Sequence, residues 1–189
     1  MKEISKNTGG SVRITGGEYR GRVIATPGRA THPMGERERL ALFNMLGESV
    51  KRAKVLDTFA GGGTLGFEAL SRGASRVTFV EKDHGACKVI GDNAAKLGCQ
   101  DKCEVISSSI QSFFDSDRTE EFDVIMTDPP YDRFEPDIIK DLQGLLTRNG
   151  LLIVSHPDEP TEIDGFLMIK TRKYARAHIT IYELTEATD

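Results

Sequence analysis

Four consecutive residues, Asp128-Pro129-Pro130-Tyr131, combine a carboxylate, a stiffened backbone and an aromatic ring. Two prolines in succession fix two φ angles, which limits how the Asp128 carboxylate and the Pro129 carbonyl can be presented. Both oxygens can accept hydrogen bonds from one exocyclic NH2, and Tyr131 offers a face on which a planar base stacks. Accepting both protons concentrates electron density on the nitrogen and aligns its lone pair. Methyl transfer from a sulfonium to an amine conjugated with a ring or carbonyl has these needs. Positioning supplies much of the rate, and aligned acceptors stabilise the developing ammonium.

A second group of residues suits a nucleoside-bearing cofactor. Asp57-Thr58-Phe59-Ala60-Gly61-Gly62-Gly63-Thr64-Leu65-Gly66 lies between a β-prone run and a helical one. Gly61, Gly63 and Gly66 match GxGxxG, which alone is a weak signal. Its physical content is a tight turn that lets a ligand approach the backbone, ahead of a helix N-terminus that favours anions. No Lys-Ser/Thr follows the glycines, which argues against a P-loop. Glu81 comes 20 residues after Gly61, at the end of the next apolar run. An acid there can accept from both hydroxyls of a ribose. NAD and S-adenosylmethionine satisfy this pair of signals equally.

The elements that must position these residues follow from the apolar pattern. Val12–Thr15 and Arg22–Thr26 read as a hairpin around Gly16-Gly17 and Gly21, and Glu36–Leu46 as a helix with Leu40, Phe43, Met45 and Leu46 on its apolar stripe. From Val55 strands and helices alternate. Strands are expected at Val55–Thr58, Arg76–Glu81, Glu104–Ser107, Phe122–Thr127 and Leu151–Ser155. Helices are expected at Thr64–Ser71, Gly85–Leu97, Ile110–Phe114 and Pro136–Leu146. Phe166–Thr171 and Ala177–Leu184 then follow with no helix between them. The expectation is an α/β fold: a mainly parallel sheet of seven strands, helices on both faces, closing in an antiparallel β-hairpin. An ordinary dinucleotide-binding sheet does not close this way. Residues 1–11 read as a disordered leader, 12–35 as a basic hairpin extension and 36–189 as the main domain.

Composition bounds the function. At 189 residues with 38% hydrophobic and 29% charged residues, the chain is a globular domain without a run of the ~20 apolar residues a membrane span needs. Three cysteines (Cys87, Cys99, Cys103) fit no disulfide framework and point to the cytoplasm. Neither they nor His32, His84, His156 and His178, read as surface or loop histidines, have metal-ligand spacing. The net charge of −4 conceals an asymmetry: residues 1–54 carry 11 Lys+Arg against 5 Asp+Glu, and the rest 14 against 24. Arg13, Arg20, Arg22, Arg29, Arg37 and Arg39 supply most of the excess and suit phosphate groups. Lys170, Arg172, Lys173 and Arg176 form a second, later basic cluster.

Val12 to Leu184 resembles the RsmD family of class I S-adenosylmethionine-dependent methyltransferases, which have a Rossmann-like fold. Three stretches carry the resemblance: Arg13-Ile14-Thr15-Gly16-Gly17-Glu18-Tyr19-Arg20-Gly21-Arg22, Phe59-Ala60-Gly61 running into Leu65–Ala74, and Asp128–Tyr131. The resemblance implies methylation of guanine N2 in 16S ribosomal RNA, within a small-subunit particle; a monomer is the default expectation for a chain with so large an RNA partner. The resemblance places Asp57, Phe59, Ala60 and Gly61 at the methionine end of the cofactor, Glu81 at its ribose and Ser109 at its adenine, with Gly63 also among the cofactor-binding residues of the glycine turn. Asp128, Pro129, Pro130 and Tyr131 hold the guanine, and Met34 to Leu46 caps the cofactor. Met34, Leu40 and Ser109 stand where the family often has Thr, Glu and Asp.

Other readings stay open on sequence alone. The same fold methylates adenine N6 in DNA or a protein glutamine, although 189 residues leave little room for a separate DNA-recognition domain. An NAD-dependent dehydrogenase satisfies the glycines but leaves Asp128–Tyr131 and the arginines without a role. A non-catalytic RNA-binding or assembly protein is the remaining class.

Overall fold

A computed structural model describes residues 9–28, 34–116, 118–129, 138–160, 162–174 and 177–185. The chain opens with an antiparallel ribbon of β1 (Ser11–Arg13) and β2 (Val23–Ala25). The main sheet contains β3 (Lys54–Asp57), β4 (Arg76–Glu81), β5 (Cys103–Ser107), β6 (Phe122–Thr127), β7 (Leu146–His156), β8 (Phe166–Tyr174) and β9 (Ala177–Leu184). Their order is β5-β4-β3-β6-β7-β9-β8; β3 to β7 run parallel and β9 is antiparallel to both neighbours. This is the expected sheet with its closing hairpin. The chain moves outward from β3 through β4 to β5, then returns to place β6 on the other side of β3. The order reverses there, and in such sheets ligands bind above the carboxyl ends of the two strands that flank the reversal. Asp57 ends β3 and Asp128 follows β6.

Among the described residues five α-helices cover the sheet: α1 (Glu36–Leu46), α2 (Thr64–Ser71), α3 (His84–Leu97), α4 (Ile110–Phe114) and α5 (Ile138–Gln143). One core cluster joins α1, α2, α3 and the ribbon to one face, and a second joins α4 and α5 to the other. No helix among the described residues is long and apolar enough to cross a membrane.

Three expectations need correction. The buried stripe of α1 is Arg39, Leu42, Phe43 and Leu46, while Leu40 is exposed. β7 begins at Leu146, not Leu151: Phe122 pairs with Leu146 but Val124 with Leu151, so Thr147–Gly150 loops out. Asn149 turns that loop at φ 59°, a left-handed conformation that asparagine tolerates better than most residues. His156 and His178 are buried strand residues that pair across β7 and β9 and stack at 5.8 Å. His84 is exposed, and His32 lies outside the described residues.

The ribbon is fastened to α2 through one buried carboxylate. Glu68 is fully buried and accepts from the Thr15 N–H at 2.9 Å, the Thr15 hydroxyl at 2.6 Å, the Gly16 N–H at 2.9 Å and Arg72 Nε at 2.9 Å. Arg39 Nε stands 3.6 Å away. A buried charge is tolerable only when paired and hydrogen-bonded in this way. Gly17 is also fixed by this contact: its φ is +75°, and a Cβ would stand 1.7 Å from Ser71 O. The Glu18 N–H donates to that same oxygen at 2.7 Å. On the ribbon's other side the buried Asn93 of α3 accepts from Ala25 N–H and donates to Ala25 O, both at 2.9 Å. Its amide extends the ribbon like a short piece of a third strand.

Candidate active site

The turn after β3 is held from both sides. Thr58 N–H donates to Met126 O at 3.0 Å, and Ala60 N–H to Val80 O at 3.1 Å. The loop therefore lies over the gap between β6 and β4, with Asp57 beneath it. The Asp57 carboxylate is buried and accepts from the Gly66 N–H in the first turn of α2 at 3.1 Å. Burial pushes its pKa up to about 7; the Gly66 bond opposes this, and the nearby Asp128 and Glu81 charges add to it.

Glu81, half-buried at the end of β4, accepts from Gly61 N–H at 2.8 Å through one oxygen and from Asp83 N–H at 2.9 Å through the other. Each carboxylate oxygen has a second lone pair, so Glu81 can brace the glycine turn and still accept from a diol. Phe59 is half-buried, and Ala60 and Gly61 are buried beside it. Gly63 has a packing role as well. It caps α2 in the left-handed region at φ +78°, and a Cβ there would stand 2.7 Å from the Phe67 ring. Gly66 would meet Phe79 at 2.2 Å. These two glycines let α2 lie close on β4. Ser109 caps α4: its hydroxyl accepts from Ser112 N–H at 3.1 Å and donates to Ser112 Oγ at 2.9 Å. One lone pair remains for an amino group.

Across the reversal, Asp128 stands beside Ser155 of β7, which donates a hydrogen bond to it. Burial raises the Asp128 pKa above the ordinary carboxylate value; the Ser155 bond lowers it, and Glu38 of α1 adds to the rise. Pro129 is buried next to it, while Pro130 and Tyr131 lie outside the described residues. The structure thus brings Asp57, Gly61, Glu81 and Asp128 to one end of the sheet. Among the described residues no group of three or more His, Cys, Asp and Glu could hold a metal ion.

The arginines divide. Arg39, expected on RNA, is 1% exposed and donates to Met34 O at 2.8 Å and Arg13 O at 2.7 Å. It holds the fold together and cannot reach a phosphate. Arg22 closes the C-terminus of α3 through Leu97 O at 3.3 Å and Lys96 O at 2.5 Å. Arg13 is exposed and donates to Gly21 O at 2.7 Å. Arg20 and Arg37 are exposed, and Arg29 lies outside the described residues. Glu68 and Asn93, which place the ribbon, were not singled out from the sequence. The Glu68-to-Arg72 spacing was the available signal for the first.

The family described as Conserved hypothetical protein 95 matches residues 12–183. A Haemophilus influenzae protein named ribosomal RNA small subunit methyltransferase D is 39% identical over 69% of this chain and 70% of its own. The chain belongs to the RsmD family. A second relative of that name, from Escherichia coli K12, is 35% identical over 80% of this chain and 75% of its own. Among solved structures, the putative methyltransferase yhhF from Escherichia coli superposes with a TM-score of 0.84 at 30% identity, covering 93% of this chain and 99% of that one. A putative methyltransferase complexed with SAH, SMU.776, matches at a TM-score of 0.70 and 13% identity over 87% of this chain and 54% of its own, a likeness of fold alone.

Proposed function

We propose that this chain methylates the exocyclic N2 of a guanine in small-subunit (16S) ribosomal RNA, using S-adenosylmethionine. The observation that carries the reading is the meeting of Asp57 and Asp128 across the strand-order reversal. Asp57 is buried and Asp128 half-buried, each a carboxylate whose charge the fold alone compensates poorly, and each has a complementary charge in such a reaction. S-adenosylmethionine supplies an electrophilic methyl group on a cationic sulfonium. The residues present fit it. A cation near Asp57 offsets the cost of burying that charge, Glu81 keeps lone pairs for the ribose, and Ser109 keeps one for the adenine amino group.

At the acceptor side, Asp128 takes one N2 proton in a hydrogen bond and the Pro129 carbonyl takes the other. Pro129 has no N–H of its own to compete for that place. Tyr131 supplies the stacking face that holds the guanine once it has left its own stack. Ser155 fixes the Asp128 carboxylate from behind. After the nitrogen is methylated, Asp128 or water removes its extra proton, so no strongly basic group is required.

The relatives' names carry the substrate class. The partner in this reading is small-subunit RNA in an assembled or partly assembled particle, met by a monomer. In this reading residues 12–35 are the RNA-facing extension of the methyltransferase domain, and Arg13, Arg20, Arg29 and Arg37 meet phosphates. The test is transfer of labelled methyl from S-adenosylmethionine to small-subunit particles, free ribosomal RNA and DNA, followed by mapping of the modified position. Label on guanine N2 of the particle is the expected result; label on DNA alone refutes it.

A further inference from the structure

An open cavity of about 590 Å³ lies beside the acceptor site, lined among the described residues by Gly35, Glu36, Arg37, Glu38 and Tyr174. That volume is in the range of small-ligand sites. The sheet shows how it relates to Asp128. Asp128 is bonded to Ser155; Ser155 pairs with Ile179, and Ile179 with Arg172, two residues before Tyr174 on β8. Side chains two apart on a strand share a face. Asp128, Arg172, Tyr174 and the start of α1 are therefore on the same face at the same end of the sheet. β8 lies three strands from β6, about 14 Å at ~4.8 Å per strand. Glu38 of α1 adds to the rise in pKa of both Asp128 and Tyr174, so its carboxylate is near each.

The lining chemistry selects the ligand. Tyr174 is a half-buried aromatic residue packed on the core, a fixed platform for a π-face. Glu36 and Glu38 contribute carboxylates, which accept from N–H donors and repel phosphate. Glu38 Oε2 accepts from the Gly35 N–H at 2.8 Å, which sets a carboxylate over the helix end and disfavours an anion there. Arg37 is the cation of the lining. An aromatic face with carboxylate acceptors matches a nucleobase with an amino or imino edge.

We propose that this cavity is a second base-binding subsite. It takes a nucleobase flanking the target guanine, one or two positions along the strand, stacked on Tyr174 with its N–H edge toward Glu36 and Glu38. The proposal rests on the RNA-methylation reading above. Splaying a neighbour out of the stack also holds the flipped strand open, so Tyr174 is a positioning and specificity residue, not a catalytic one.

The experiment compares wild type, Tyr174→Leu and Tyr174→Phe on reconstituted small-subunit particles, some carrying an abasic nucleotide at each flanking position in turn. Calorimetry gives the Kd for S-adenosylmethionine. Tyr174→Leu keeps apolar bulk on the core and loses the ring. Its KM for the particle is expected to rise roughly five- to a hundredfold, the worth of one base–aromatic stack, with the cofactor Kd held. Tyr174→Phe restores KM. One abasic position costs wild type a similar factor and costs Tyr174→Leu nothing further. An unchanged KM, a cofactor Kd weakened by the same factor, or independent abasic and Leu effects overturns the proposal. A wild-type enzyme that modifies no RNA particle refutes the functional reading itself.

Discussion

Asp57→Asn separates the cost of the cofactor site from its use. The Asp57 pKa rises from 3.8 to about 7 on folding, chiefly through burial. At about 1.4 kcal/mol per pKa unit, the full effect is on the order of 4 kcal/mol. The sign follows from linkage. The native state holds the Asp57 proton between pH 4 and 7 while the unfolded chain has released it. Stability is therefore greatest below pH 4 and falls as pH rises through 7, from this group alone. Asparagine keeps an oxygen to accept from Gly66 and has no charge to bury. Urea unfolding of the ligand-free protein should give similar stabilities for both proteins near pH 4. At pH 8 the Asn variant should be the more stable by up to about 4 kcal/mol. Cofactor binding should run the other way. A sulfonium cation favours the ionised carboxylate, so wild-type affinity should tighten as pH rises through 7, with proton release on binding near pH 6. The Asn variant should bind more weakly and with no such slope. Calorimetry in buffers of different ionisation enthalpy measures that release. Stability curves that stay parallel from pH 4 to 8 would refute the reasoning.

Other outcomes follow from contacts already described. Asp128→Ala should lower methyl transfer at least a hundredfold, as removal of an aligned charge-stabilising group does, while calorimetry shows cofactor binding retained. Glu68→Ala strands Arg39 as a buried cation and should cost about 3–5 kcal/mol in urea unfolding, with the ribbon cut first in limited proteolysis. Gly17→Ala should destabilise by more than about 1 kcal/mol, because it meets both a positive φ and Ser71 O. Arg20→Ala should weaken RNA binding and reduce its salt slope by about one without changing the melting temperature, whereas Arg39→Ala should lower the melting temperature.

The elements of the central fold were legible because their apolar periods are strong: α2, β4, α4, β6 and β9 begin and end where the pattern puts them. What remained hidden was which face of an element turned inward. Arg37 and Arg39 look alike in the sequence, but positions 39, 42, 43 and 46 form the i, i+3, i+4, i+7 series that buries one side of a helix. Arg39 therefore belongs to the stripe and Arg37 to the opposite side. Glu68 was masked by the same effect, a charge inside an otherwise apolar helix whose purpose needs the ribbon to be in place. The chemistry was legible for a different reason. Asp57, Glu81 and Asp128 each come at the end of a predicted strand, and in a parallel sheet those ends gather at one edge. The glycines were half legible: the turn was found, but the side chains that demand Gly63 and Gly66, Phe67 and Phe79, meet only once α2 has docked on β4. His156 and His178 gave no such signal, because their pairing depends on β9 lying between β7 and β8.

That interleaving has a consequence for how the molecule is made. The ribosome delivers β8 before β9, yet β9 holds β8 to the sheet, along eight paired positions, and itself to β7 along six. A nascent chain that has reached only Tyr174 has no partner for the far edge of β7 and nothing to hold β8 in place. Assembly of this half of the sheet waits for the last strand, which closes two seams at once, and a chain cut before Ala177 loses both together.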